Sequence, residues 1–128
     1  MLWHVVLISF RPDAPENLKE WVWNRYQTLD KDCGGKEAGI LLWAVRHNHD
    51  LRKNVHLVEL SIFRDNEALQ AFRAHQKHTE LVKITQEISD WQVGDIEFAL
   101  EDANSLLPLS ILKAVTDALN INLLSGKK

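Results

Sequence analysis

The stretch VHLVELSIFRDNEALQAF, residues 55–72, decides the fold because it joins a predicted strand to a predicted helix. Its first half, VHLVELSIF (55–63), alternates apolar side chains in the way that strands do. One face carries His56, Val58, Leu60 and Ile62, and the other carries Glu59 and Ser61. Asp65 or Asn66 then caps a second helix. The inward residues of this helix are predicted to be Ala68, Leu69 and Phe72.

Three more strands and a first helix surround this stretch. WHVVLISF (3–10) and ILLWAVRH (40–47) are short apolar runs bounded by residues that break regular structure, as strands usually are. WQVGDIEFAL (91–100) alternates like a fourth strand. Asp13 is the predicted N-cap of the first helix, which should run from about Pro15 to Leu29.

The predicted order of elements is β-α-β-β-α-β. This order is typical of an α+β, ferredoxin-like fold, in which two helices pack on one face of an antiparallel four-stranded sheet. The other face needs a cover, because Trp43, Val45, Val58 or Leu60 would otherwise be exposed. We therefore expect a homodimer that packs sheet against sheet.

Composition narrows the class of partner. A chain of 128 residues with 45% hydrophobic content suits one domain with its own core. A formal charge of -3 does not favour a nucleic-acid partner. No membrane partner is expected either, because no apolar run reaches the roughly 18 residues of a membrane helix and residues 1–10 lack a secretory signal. The single cysteine, Cys33, favours a soluble protein of the reducing cytoplasm.

The sequence changes character beyond residue 100. An added helix is predicted from apolar residues at helical spacing, namely Ile111, Leu112, Val115 and Leu119. This helix either closes an edge of the core or reaches across a dimer. The chain is accordingly divided into a ferredoxin-like domain, 1–100, and a C-terminal helical extension, 101–128.

Two histidines, His75 and His78, lie three residues apart near the end of the second helix. Helical spacing places His75 on the buried stripe of Phe72. An irregularity at Gln76-Lys77 and a new helical start near His78 would turn His78 inward as well. Two histidines at this spacing can bind a metal, but a zinc site usually has a third protein ligand, so we predict no metal. For His75, a hydrogen bond to the backbone at a helix end remains an alternative to a ligand-binding role.

Three other polar side chains need partners in the predicted core. His4 shares a strand face with Val6 and Ile8, where an unpaired imidazole would be costly. His56 is a similar case, and a hydrogen-bonded core histidine is the alternative to a functional one. Tyr26 points inward from the first helix, so its hydroxyl needs a partner or a wet cavity.

The order of these motifs resembles the stress-responsive dimeric α/β barrel (Dabb) family. The chain carries HVVLISF, VHLVELSIFRDNEALQAF, HQKHTELV and GDIEF in that order. The family typically shows H-x-V-L-F-x-F, a strand and helix ending in H-P-x-H, and a closing strand of the V-x-D-F/Y type. The resemblance covers residues 3–99. It implies a ferredoxin-like subunit whose dimer joins two sheets into a barrel.

The resemblance also implies site residues. Many members of the family have no assigned activity, but a plant member is a polyketide cyclase that closes a ring by an intramolecular aldol reaction. By motif position, His78 matches its catalytic histidine, His4 matches a supporting histidine, and Tyr26 matches a pocket tyrosine. Phe72 stands where the cyclase has a second tyrosine, so one hydroxyl is missing here.

Two functions of different classes follow. The first is a non-catalytic, stress-associated homodimer that holds a small apolar or aromatic molecule, with Phe72, His56 and His75 as ligand-binding residues. The alternative is a cyclase-like lyase with His78 as general base and His4 or Tyr26 as donor to the enolate oxygen. We predict no cofactor for either. A monooxygenase of similar barrel shape is a third interpretation, which the His4 and His78 motif disfavours.

Overall fold

One antiparallel sheet forms from the four segments in which the sequence alternates. The computed structural model describes residues 1–99 and 109–119. The strands are β1 (Leu2–Phe10), β2 (Ile40–His47), β3 (Leu57–Phe63) and β4 (Ser89–Glu97). Their order across the sheet is β2-β3-β1-β4, so β3 and β1 are central and β2 pairs with β3 as predicted.

The helices complete the predicted order of elements. They are α1 (Glu16–Gln27), the short α2 (Leu29–Asp32), α3 (Asn66–Ala74), α4 (Gln76–Ile88) and the C-terminal α5 (Leu109–Ala118). A 3₁₀ turn, Gly35–Ala38, precedes β2. This βαββαβ arrangement is a ferredoxin-like fold, as predicted from the sequence. None of the helices within residues 1–99 and 109–119 is long and apolar enough to cross a membrane.

The two predicted helix caps have different outcomes. Asp65 caps α3, because its Oδ1 accepts a hydrogen bond of 2.8 Å from the backbone N–H of Ala68. The prediction of Asp13 as the cap of α1 is wrong. Pro15 occupies the N-cap position in an extended conformation, and the first helical residue is Glu16, three residues beyond Asp13.

A single extended residue separates α3 from α4. His75 has φ −65° and ψ 139°, and its Nδ1 accepts a hydrogen bond of 3.1 Å from the backbone N–H of Lys77. The ring of His75 is therefore the N-cap of α4, and the expected helix-end bond to the backbone is confirmed. The irregularity lies one residue before the predicted Gln76-Lys77.

The face of the sheet beneath the helices carries most of the core. Along β3, this face holds Glu59, Ser61 and Phe63, all of them buried. Trp43 and Val45 lie on the same face, because they pair directly with Ser61 and Glu59 across β2 and β3. The expectation that Trp43 and Val45 lie on the bare face is therefore wrong.

The opposite face of the sheet is apolar and partly bare. Leu60 is 40% exposed and Ile96 is 58% exposed. Val5, Leu7 and Val58 lie on this face and are half-buried. The expectation of bare apolar residues is thus confirmed for Leu60, whereas Val58 lies on this face but is half-buried.

The C-terminal helix packs on one end of that outer face. Val115 of α5 is fully buried in a second apolar cluster with Leu41, Ile62 and Phe98. This cluster is separate from the core beneath the helices, and the two predicted roles of the helix, closing an edge of the core and reaching across a dimer, stay predictions. The predicted boundary at 100/101 lies outside the described residues.

Candidate functional site

A cavity of about 270 Å³ lies between α4 and the β1 and β4 side of the sheet. Its volume is close to the lower limit of small-molecule pockets, which is about 300 Å³. The cavity opens beside β4, where Trp91 is 37% exposed and Val93 is 45% exposed. Its polar lining consists of His4, Tyr26, Glu59, Arg73, His78 and Thr85. Its apolar lining consists of Val6, Ile8, Leu29, Leu81, Val82, Trp91 and Val93.

His78 lies on the helix side of the cavity. It is the third residue of α4, and its ring packs edge-on against Phe72 with a centroid distance of 4.7 Å. Its Nδ1 is buried and has no hydrogen-bond partner among the described residues. Buried polar side-chain atoms usually have a partner, so this unpaired nitrogen is an exception among the described residues.

The surroundings of His78 favour its neutral form. Burial lowers the pKa of His78 below its ordinary value of 6.5, and the nearby carbonyl of Arg73 opposes this effect. The positive charge of Arg73 also lowers the pKa. A neutral imidazole can accept a proton, so His78 has the protonation state that a general base requires near neutral pH.

His4 lies on the sheet side of the cavity and is held by a carboxylate. Its Nδ1 is 2.6 Å from Oδ1 of Asp95, its direct partner across β1 and β4. Because an ionised carboxylate only accepts hydrogen bonds, Nδ1 of His4 carries the proton. The other nitrogen, Nε2, is 3.6 Å from Oε2 of Glu59, which is too long for a hydrogen bond. His4 therefore has a fixed ring orientation with Nε2 on the side of Glu59.

Glu59 lies beneath the cavity as a buried acid, only 2% exposed. The hydroxyl of Tyr26 donates to its Oε1 at 2.6 Å, and the hydroxyl of Ser61 donates to its Oε2 at 2.7 Å. Burial raises the pKa of Glu59 above its ordinary value of 4.5, while His4 and the two hydroxyls lower it. The net direction is upward, so burial outweighs the three stabilising neighbours.

Tyr26 reaches this network from α1. Burial, and then the neighbouring charge of Glu59, raise the pKa of Tyr26 well above its ordinary value. The phenol therefore stays protonated and keeps a proton that it can donate. The indole of Trp43 donates to the backbone carbonyl of Tyr26 at 3.1 Å, which ties this part of α1 to β2.

The order of motifs in the sequence agrees with a family comparison. The family model described as the stress-responsive A/B barrel domain, Dabb, matches residues 2–98. This chain belongs to the Dabb family. No curated protein matches it in sequence.

Solved structures share the fold of this Dabb chain. A dimeric ferredoxin-like protein of unknown function from Bacteroides fragilis is 23% identical, with a TM-score of 0.63 over 76% of this chain and 95% of that one. A Dabb protein from Mesorhizobium loti is 11% identical, with a TM-score of 0.62 over 77% and 96%. SnoaB, a cofactor-independent oxygenase from Streptomyces nogalater, is 13% identical, with a TM-score of 0.59 over 77% and 92%. At these identities the likeness shows the fold alone.

The six residues predicted for the site fall into three groups in this Dabb chain. His4, Tyr26 and His78 line one cavity. Phe72 is buried directly behind His78 and supports its ring.

His56 and His75 form the third group and do not line this cavity. Nδ1 of His56 accepts a hydrogen bond of 2.9 Å from the backbone N–H of Phe10, at the far end of β1. Nδ1 of His75 is occupied by the cap of α4. Both rings bond to the backbone and lie outside this cavity, so the ligand-binding role predicted for them stays a prediction.

Sequence reasoning missed Glu59, Asp95 and Arg73 as site residues. Glu59 had a readable signal, because it alternates with Val58 and Leu60, which were expected on the bare face. Asp95 had no such signal in the sequence, because its contact with His4 depends on the register between β1 and β4. Arg73 had none either, because the break at His75 sets how the end of α3 meets the cavity.

No group of three His, Cys, Asp or Glu side chains that could hold a metal ion occurs in the part of the Dabb chain that the structure describes. His75 and His78 are close in sequence but have different surroundings. One caps a helix from a half-buried position, and the other turns its Nδ1 into the interior. The HQKH segment therefore does not present a chelating pair.

Proposed function

We propose that the cavity binds a small, mainly apolar or aromatic carbonyl compound and that His78 removes a proton from the carbon next to its carbonyl. The observation that carries this proposal is the position of His78 in the wall of a cavity that His4 and Tyr26 also line. Burial lowers the pKa of His78, which favours the neutral imidazole that a general base requires.

The sheet side of the cavity supplies the acid in this proposal. When His78 removes a proton, negative charge develops on the substrate oxygen and needs a hydrogen-bond donor. The hydroxyl of Tyr26 already donates to Glu59, so Tyr26 can donate to the substrate only if this hydrogen bond breaks. Nε2 of His4 makes no hydrogen bond to any described residue. With Nδ1 held by Asp95, donation from His4 requires a second proton, on Nε2.

The strength of this machinery limits the substrate class. General base catalysis contributes roughly 10²–10⁴-fold, which suffices for an acidic carbon between two carbonyl groups and not for an unactivated one. The apolar residues of β1, β4 and α4 then hold the rest of the molecule. An intramolecular aldol reaction of a polyketide-like chain is one reaction within this class.

A second candidate function is binding without turnover. The observation that favours it is Phe72, whose ring lies 4.7 Å from that of His78 and has no hydroxyl to donate beside the base. In this case His4, Tyr26 and His78 only satisfy the polar edge of a bound molecule. The two functions share one cavity and differ in whether a proton moves.

The test is deuterium exchange at C2 of ethyl benzoylacetate in heavy water, followed by proton NMR. We expect the protein to accelerate exchange over an imidazole buffer and His78→Gln to slow it by about 10²-fold. The matched control is His49→Gln, which changes an exposed loop histidine outside the cavity. Because burial lowers the pKa of His78, the rate should stay high as pH falls to 6.5 and decline only below that value.

The possible results separate the two functions. Equal exchange by wild type and His78→Gln contradicts the role of His78 as base. Binding of the ester without any acceleration of exchange favours the second candidate function.

We further propose that the protein is a homodimer through its outer sheet face and resides in the cytoplasm. The neighbour from Bacteroides fragilis is described as dimeric, and the bare face here is apolar at Leu60 and Ile96. Cys33 is buried and free, which suits a reducing compartment.

A further inference from the structure

Arg73 lies at the mouth of the cavity, and most N–H donors of its guanidinium have no partner among the described residues. It lines the cavity from the end of α3, and its side chain is 41% exposed. Among the described residues its one ionic contact is with Asp95, at 3.7 Å between Nη2 and Oδ2. The other oxygen of Asp95 is bound to His4 at 2.6 Å, so the carboxylate of Asp95 is shared between His4 and Arg73. The five N–H donors of a guanidinium are far from satisfied by this single long contact.

A second groove, of about 250 Å³, continues outward from this mouth. It shares Arg73, His78 and Val82 with the cavity and adds Lys83 from the next turn of α4. Lys83 has no ion pair with any described residue. A ligand that extends from the cavity to the surface therefore passes two cations.

The inner end of the cavity has the opposite character. Its walls are apolar, and its polar floor contains the carboxyl group of Glu59. An anionic group placed at that floor loses its hydration and faces Glu59, while the same group at the mouth meets Arg73. The charge distribution thus orients an amphipathic molecule with its apolar end inward.

We propose that the natural ligand carries a carboxylate and that Arg73 binds this carboxylate at the mouth of the cavity. The planar fork of a guanidinium matches the two oxygens of a carboxylate. A monoanion fits better than a doubly charged phosphate, because Asp95 already offsets part of the charge of Arg73. This inference rests on the proposed function for the location of the site and adds the charge and orientation of the ligand.

The experiment compares acids with neutral analogues of nearly the same shape. Three pairs serve as probes: 4-butylbenzoate, 5-phenylvalerate and octanoate, each with its primary amide, and 4-butylphenyl phosphate is added as a dianion. Binding is measured by titration calorimetry on the full chain. The variants are Arg73→Gln and, as matched control, Arg52→Gln, which removes an exposed cation from a loop residue that does not line the cavity.

We expect at least one acid to bind about 10-fold more tightly than its amide, as a charge-assisted hydrogen bond implies. In Arg73→Gln this preference should fall to about 2-fold or less, while the affinity for the amide stays the same. Arg52→Gln should keep the wild-type preference. Arg73→Lys, which keeps the charge and loses the fork, should retain only part of it.

Three results overturn the inference. They are a panel in which no acid binds better than its amide, a preference that survives in Arg73→Gln, and tighter binding of the phosphate than of the benzoate. The failure of the proposed function has a different signature. In that case His78→Gln leaves deuterium exchange unchanged, whereas the preference for acid over amide still depends on Arg73.

Discussion

Glu59 shows at the scale of one residue how this site departs from an apolar core. A carboxyl group that is 2% exposed is held by two hydroxyl donors and lies 3.6 Å from His4. The two hydrogen bonds offset part of the cost of burying Glu59. They also hold the hydroxyl of Tyr26 against Glu59 at the floor of the cavity.

The pH dependence of stability tests this description of Glu59. Burial raises its pKa in the folded state, so folding favours the protonated acid, and this contribution is lost as pH rises above 4.5 toward the raised pKa. Glu59→Gln carries no charge at any pH. Its free energy of unfolding relative to wild type should therefore increase between pH 4.5 and pH 8, as measured by urea denaturation at several pH values.

An exposed carboxylate provides the control for Glu59. Glu37→Gln also removes one negative charge, but from an exposed position in the 3₁₀ turn. It should show no comparable rise with pH. If the difference in free energy of unfolding between Glu59→Gln and wild type does not change over the same pH range, ionisation of Glu59 does not destabilise the folded protein.

At the scale of one element, the caps of α1 and α3 make a matched pair. Asp65 accepts a hydrogen bond from the first turn of α3, whereas Asp13 makes no such bond to α1. Asp65→Ala should lower the melting temperature by roughly 2–5 °C, and Asp13→Ala should leave it nearly unchanged. Equal effects of the two substitutions in thermal unfolding would contradict the assignment of the caps.

The elements themselves were largely predictable from sequence, because their periodicity is local. The second strand was predicted at its observed bounds, Ile40–His47, and the cap at Asp65 was readable from residue type. The error at Asp13 arose because Pro15 takes the cap position without a side-chain bond. Which face of β2 is buried was not predictable, since it depends on pairing with β3.

The site was predictable only where a local pattern carried it. His4, Tyr26 and His78 each follow an apolar stripe of their own element, and all three line the cavity. His56 and His75 follow similar patterns, but Nδ1 of each accepts a hydrogen bond from a backbone N–H group. Such hydrogen bonds depend on the exact path of the chain, which residue spacing does not specify.

At the scale of the whole molecule, the bare sheet face predicts the oligomeric state. Leu60 lies near the middle of the outer face, next to half-buried Val5 on β1. If a second copy covers this face, Leu60→Glu buries an unpaired charge in the interface and should yield a monomer. Light scattering after size-exclusion chromatography should then show half the mass of the wild type.

Another exposed leucine serves as control for this substitution. Leu51 is 57% exposed in the loop between β2 and β3, so Leu51→Glu should leave a dimer intact. A monomeric wild type, or a dimeric Leu60→Glu, would contradict the proposed interface. Because α5 already covers Ile62 at one end, the surface left for a partner is the part around Leu60 and Ile96.

The single extended residue between α3 and α4, His75, sets the direction in which His78 points from the axis of α4. Successive residues of a helix point about 100° apart around its axis. Deleting one residue between this junction and His78 would turn the imidazole by that angle and carry it away from His4 and Tyr26. Such a chain would keep both histidines and lose the site. The length of the junction, as much as the identity of its histidines, specifies the chemistry of this cavity.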